Sequence, residues 1–216
     1  MLNDKSRIEM ITGVTTSQAY EFVGNYFLPF VNGEDLKWVE AVRHGGIPLQ
    51  LHSIPEPYFR KRNYVSYEMY EDQGEKELQR MVERGVLEGP LHYRPWVVNP
   101  MGGVWQPEKG KWRTIHDLTA SGVNGAAIPS TCKYDMLEEV IKLQTTDCWM
   151  FGWDLKDAFF NQGRLQEHSD YMGTYSTSTG EFYRHRYSTF GGTDGPQNQQ
   201  TFSTILSKIL NEVGPK

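Results

Sequence analysis

A chain of 216 residues with 38% apolar and 13% aromatic content carries enough surface to bury a core, which argues against a solvated, disordered tail. Its net charge of -5 is not the footprint of a uniformly basic nucleic-acid binder, so any contact with phosphate must rest on local charge. The cysteines Cys132 and Cys148 lack C-x-x-C spacing, which speaks against a disulfide framework or a structural zinc site, and no run reaches the roughly twenty apolar residues of a membrane span. The expectation is a soluble intracellular protein, in cytoplasm or nucleus, with no membrane partner.

In chain order, residues 17–65 show weak periodicity and the breakers Gly45-Gly46, Pro48, Pro55 and Pro57. They predict short helices followed by an extended arm. Arg60-Lys61-Arg62 forms a basic knot within the arm, read equally well as a solvated surface or as a phosphate contact. From Ser66, a plausible cap, the residues Leu78, Met81 and Val82 recur at helical spacing up to Gly85, which predicts one helix stopped by that glycine. Residues 91–106 read as extended chain, and residues 111–118 as a strand reached through the turn Glu108-Lys109-Gly110, so a β-hairpin is expected.

A Gly-rich loop at residues 122–125 precedes a second helix at 134–143, with Leu137, Val140 and Ile141 on one face. Residues 148–155 are strand material ending in WDLKDAFF. Strands at 171–176 and 181–188 are joined by the turn Ser178-Thr179-Gly180. Pro196 opens a last helix whose apolar stripe is Phe202, Ile205, Leu206 and Ile209. Hairpins mixed with helices in this order indicate an α+β fold, an antiparallel sheet with helices packed on one side.

Asp154 and Asp157 flank the end of the strand with two aromatics behind them, an arrangement suited to a metal and nucleotide site, although spacing alone favours a turn former or helix cap. The surrounding blocks weigh on that choice. Asp154-Leu155-Lys156-Asp157-Ala158-Phe159-Phe160 resembles motif A of reverse transcriptases. ERGVLEG at residues 83–89 resembles the "G-hydrophobic-hydrophobic-E" step before the fingers of gypsy-like and DIRS-type retrotransposon polymerases. NPMGGV at 99–104 is similar to their "SPLGVV", GKWRTIHDL at 110–118 to "GKWRPIHDL", and Val123-Asn124 to their "VN". Residues 189–196, TFGGTDGP, look like motif B, "PFGLSNAP", with Thr189 where proline is usual and Gln199 where an aromatic is usual. Single blocks of this kind are weak signals, and their shared order over residues 57–210 is specific.

The resemblance implies reverse-transcriptase-like fingers and a partial palm of a right-hand polymerase. Its parts would be an N-terminal region of unassigned role at 1–56, a fingers-like region at 57–146 and a partial palm at 147–216. It further implies an RNA-directed DNA polymerase fragment using Mg2+, with dNTP and an RNA or DNA template-primer as substrates. Asp154 would be catalytic and, with the carbonyl of Leu155, would hold metal. Lys109 and Arg113 would hold the triphosphate, Lys111 being the competing lysine; without the block order all three read as a salt-bridged hairpin surface. Arg113 is favoured because its planar fork suits phosphate oxygens. Asp157 and Ala158 would meet the triphosphate through backbone amides, Phe159 would exclude a 2′-hydroxyl, and Phe190 with Gly191 would pack on the nucleotide. His116 is read as structural. No Y-x-D-D or Asp-Asp pair occurs up to Lys216, so the rest of the palm, thumb and RNase H are expected in a longer polyprotein, and the sheet edge near residues 151–155 is expected to lack its cover. The alternative is an inactive remnant that only binds nucleic acid or protein.

Overall fold

The computed structural model describes residues 27–44, 46–132, 137–142 and 158–213. The helices are α1 (Gly33–Arg43), α2 (Val65–Glu68), α3 (Glu71–Glu83), α4 (Val123–Ala126), α5 (Leu137–Lys142) and α6 (Gly195–Val213). The strands are β1 (Leu87–Leu91), β2 (Met101–Gln106), β3 (Lys111–His116), β4 (Gly173–Tyr175) and β5 (Phe182–His185). Among the described residues the strands pair antiparallel, β2 with β3 and β5 between β1 and β4, so the α+β class is borne out with these strands divided between two small sheets. The strand expected at 148–155, and with it the sheet edge, lies outside the described residues.

The single helix expected from Ser66 is instead two, because the chain breaks at Met69 and Tyr70 between α2 and α3. Ser66 lies inside α2 and does not cap it; its Oγ accepts the backbone N–H of Gly103 at 3.2 Å and so ties α2 to the hairpin. The predicted stop is correct. Gly85 has φ +69°, and the amides of Gly85 and Val86 donate back to the carbonyls of Val82 and Met81, the paired bonds that close a helix with a left-handed glycine.

The alternation KWRTIH puts Lys111, Arg113 and Ile115 on an exposed face and Trp112, Thr114 and His116 on a buried one. Gly110 takes φ +54° at the turn, as the sequence requires. Trp112 lies across the partner strand so closely that a Cβ on Gly103 would come within 1.7 Å of its ring. Gly103→Ala is expected to destabilise the chain by about 1–3 kcal/mol through that overlap, read as a lowered urea midpoint. An unchanged midpoint would mean that the indole is not held there.

Two differences from the expected element order matter for the site. Residues 87–91, which include Gly89 and Pro90, form a strand that pairs with β5, with an irregular register between Glu88 and Leu91. The loop at 122–125 winds into the helical turn α4 after Gly122, which has φ +84°. Ile141, assigned to the apolar face of its helix, is exposed.

Three apolar clusters hold the elements together. The first joins Leu78 and Met81 of α3, Leu87, Met101, Trp112, Tyr183 and Phe160, with Phe190 packed against it. A second joins Val39 and Val42 of α1 to Phe202, Ile205 and Ile209 of α6, so the predicted stripe of the last helix is buried on the N-terminal helix. The third, around Leu49, Val97, Leu118, Val123 and Met172, lies under the extended arm. That arm is stitched to the rest through backbone bridges of Ile47 with Arg164, Leu51 with Ala127 and Tyr58 with Val97.

Candidate nucleotide-binding surface

Lys109 ends a short turn of 3-10 helix, Pro107–Lys109, at the tip of the hairpin, and Lys111 and Arg113 follow on the exposed face of β3. None of the three forms an ion pair with another described residue, and all three side chains are exposed. Of the basic knot in the arm, Arg60 lies over the ring of Tyr64 at 5.0 Å, an arrangement that uses the charge locally.

The far end of β3 meets the motif B block. The amide of His116 donates to the carbonyl of Phe190 at 3.2 Å. Three residues separate Arg113 from this junction, about 10 Å along a strand. Gly191 has φ +119°, and a Cβ there would lie 2.0 Å from the carbonyl oxygen of His116, so both the conformation and the close approach require glycine. The side chain of Asn124 clamps the same loop, with its Nδ2 donating to the Gly191 carbonyl at 2.8 Å and its Oδ1 accepting from the Thr193 amide at 3.2 Å. Sequence reasoning noted Asn124 only as half of a dipeptide block; its amide is the part that positions the loop.

Ala158 and Phe159 open the 3-10 segment Ala158–Asn161. The Phe159 ring packs edge-on against Phe190, with centroids 5.0 Å apart and planes at 70°, and Phe160 approaches Phe190 at 6.1 Å. Phe160 is buried in the core, as expected of it, while Phe159 and Phe190 are half-buried. The structure therefore brings Phe159, Phe190 and Gly191 together and places Arg113 and Lys109 on the strand and turn leading to them. Asp154, Leu155 and Asp157 lie outside the described residues.

One unusual position in motif B finds a structural explanation. Gln199, standing in place of an aromatic, accepts from Nε2 of the buried Gln162 at 2.8 Å. Phe202, the next aromatic, packs on Phe27 at 5.8 Å and on Trp38 of α1 at 6.1 Å. Asp194 receives both guanidinium nitrogens of Arg164 at 2.6 and 2.8 Å, a buried pair at the start of α6 that no local pattern announced.

Asp117, the acid beside His116, is a scaffold group. Burial pushes its carboxyl up, but hydrogen bonds from Tyr64 and from the amides of Ala120 and Thr119 outweigh this and hold it below the usual range. His116 packs its ring at 4.3 Å from that of His185, both fully buried, and burial lowers its pKa to about 4. A neutral, enclosed imidazole suits the structural role read for it.

The donors inferred for a metal, the carboxylate of Asp154 and the carbonyl of Leu155, are hard oxygen ligands of the kind Mg2+ takes. Among the described residues no group of three or more His, Cys, Asp and Glu side chains could hold a metal ion. No described helix is long and apolar enough to cross a membrane.

This architecture is similar to that of solved viral polymerases. Prototype foamy virus protease-reverse transcriptase matches with a TM-score of 0.56 at 15% identity over 77% of this chain and 21% of that one. A foamy viral protease-reverse transcriptase in complex with double-stranded DNA matches with a TM-score of 0.56 at 14% identity, covering 90% of this chain and 36% of that one. The fold is reverse-transcriptase-like. A CSH mutant of the prototype foamy virus protein gives a TM-score of 0.57 at 15% identity over 91% of this chain and 24% of that one. The chain thus spans about a third or less of the length of these structures. No family model matches it, and no curated protein matches its sequence.

Proposed function

We propose that the chain is the fingers-like region (57–146) and partial palm (147–216) of an RNA-directed DNA polymerase from a retrotransposon of gypsy-like or DIRS-type ancestry. The observation that carries this reading is the junction of β3 with the Phe190 loop, where the strand face that exposes Lys111 and Arg113 runs toward a half-buried aromatic pair beside a glycine-only turn. Phosphoryl transfer asks little of a protein beyond positioning and charge neutralisation, and this surface offers both.

In this reading Arg113 forks onto the triphosphate of an incoming dNTP, with Lys109 or Lys111 adding charge from the hairpin tip. The amides of Asp157 and Ala158 donate to phosphate oxygens. Phe190 and Gly191 pack on the nucleotide, and Phe159 lies against its sugar and leaves no space for a 2′-hydroxyl. Asp154 and the Leu155 carbonyl would hold Mg2+, which would supply charge neutralisation at the reacting phosphate. The template-primer, RNA or DNA, follows from the same resemblance, and one solved neighbour is itself in complex with double-stranded DNA. The rest of the palm, a thumb and RNase H would be supplied by the remaining polyprotein.

The test is Mg2+-dependent primer extension with the chain and, in parallel, with the longer reading frame that contains it. Asp154→Ala should abolish extension, and Arg113→Ala should raise the KM for dNTP about tenfold or more, the weight of a charge-assisted hydrogen bond. Extension indifferent to both substitutions would sink the proposal. Template binding that survives in every variant, with no extension from either frame, would leave a binding module in its place.

A further inference from the structure

We infer that Gly195 is a specificity-determining position: by lacking a side chain it sets how far the Phe159 ring projects toward the sugar of a bound nucleotide. The inference rests on the proposed role of Phe159.

Phe159 sits in a slot with two walls. One is the Phe190 ring, 5.0 Å away at 70°. Phe190 cannot easily yield, because its carbonyl accepts from His116, its other side meets Phe160 at 6.1 Å, and the next residue is held by Asn124. The second wall is the backbone of Gly195, the first residue of α6. A Cβ there would lie 2.7 Å from Cε1 and 3.2 Å from Cδ1 of Phe159, well inside ordinary contact. Position 195 is further fixed by its neighbour Asp194, which Arg164 grips through two bonds.

The nature of the overlap makes the position informative. Gly195 is not among the glycines with positive φ, and alanine is well suited to a first helical turn, so the backbone accepts a methyl group. The atom it would strike is the edge of a half-buried ring that can turn. With Phe190 behind it, the ring has one way to go, toward its exposed edge. Gly195→Ala should therefore leave the fold intact and narrow the space in which the proposed reading seats the sugar.

Nucleotide affinity tests this on the full chain with Mg2+, measured by calorimetric titration of dNTP and rNTP against wild type, Gly195→Ala, Phe159→Val and the double variant. Gly195→Ala should weaken dNTP binding about tenfold, the weight of a small steric overlap. Phe159→Val should admit rNTP, and in that background Gly195→Ala should change nothing, since there is no ring left to displace. Equal effects of Gly195→Ala in both backgrounds, or none in the wild type, would overturn the inference while leaving the function standing. Aromatic NMR shifts of Phe159, recorded without nucleotide, should move in Gly195→Ala; unmoved shifts also overturn it. A wild-type chain that binds neither nucleotide, even with the ring displaced in Gly195→Ala, overturns the functional reading and with it the role in specificity.

Discussion

Replacing Arg164 by Met is expected to cost about 3–5 kcal/mol of folding stability, read from chemical denaturation, because it removes the guanidinium that neutralises a largely buried carboxylate. The Arg164 side chain is 1% exposed and that of Asp194 12%, and the two meet through bonds of 2.6 and 2.8 Å. Such a fork is strong by geometry, and its burial leaves salt little access to screen it. After the substitution Asp194 would keep, among the described residues, only the Asn198 side-chain amide at 3.3 Å. The double variant Arg164→Met with Asp194→Asn should recover part of the loss, since no uncompensated charge remains. A single variant that loses less than about 1 kcal/mol would show that the pair is looser than this geometry implies. The loss should also reach the proposed nucleotide site, because Asp194 immediately precedes Gly195 and so anchors one wall of the Phe159 slot.

That pair marks where legibility in the sequence ended. Local signals carried the hairpin, since the alternation of Lys111, Trp112, Arg113 and Thr114 maps directly onto exposed and buried faces. They also carried the stop at Gly85 and the stripe of α6, whose buried residues are among those its spacing names. What failed was everything that depends on a distant partner. β1, which contains Gly89 and Pro90, was not expected as a strand, and it becomes one because β5 offers it a ladder through His185, Arg184 and Phe182. The continuous helix from Ser66 failed because the hairpin claims the Ser66 hydroxyl and Trp112 claims the ring of Tyr70 at 5.2 Å. Gln199 looked anomalous until Gln162 appeared opposite it. In the candidate site, residue types at Arg113, Phe159, Phe190 and Gly191 were readable from block order. The groups that position them, Asn124, Arg164 and the His116 amide, were not, because each acts across a fold whose distances no spacing rule encodes.

Acidification should expose the same dependence on distant partners. Wild type is expected to lose more than about 2 kcal/mol of stability between pH 7 and pH 4.5, measured as urea midpoints across that range. His116 and His185 face each other with Nε2 atoms 3.2 Å apart, and their Nδ1 atoms have no partner among the described residues. Burial depresses His116 from 6.5 to about 4 and puts His185 well below its ordinary value, with the charge of its neighbour adding to the effect. For a pKa depressed by folding, the unfolded chain takes up protons first as pH falls. The stability is fully present above 6.5 and drains away down to about 4, the window set by His116. His168, lowered by burial and accepting the Leu49 amide through Nδ1 at 2.9 Å, contributes in the same direction. His185→Gln should flatten the profile without removing it, since His116 and His168 remain. A midpoint unchanged between pH 7 and pH 4.5, or a His116 imidazole that titrates near 6.5 by NMR, would refute the assignment.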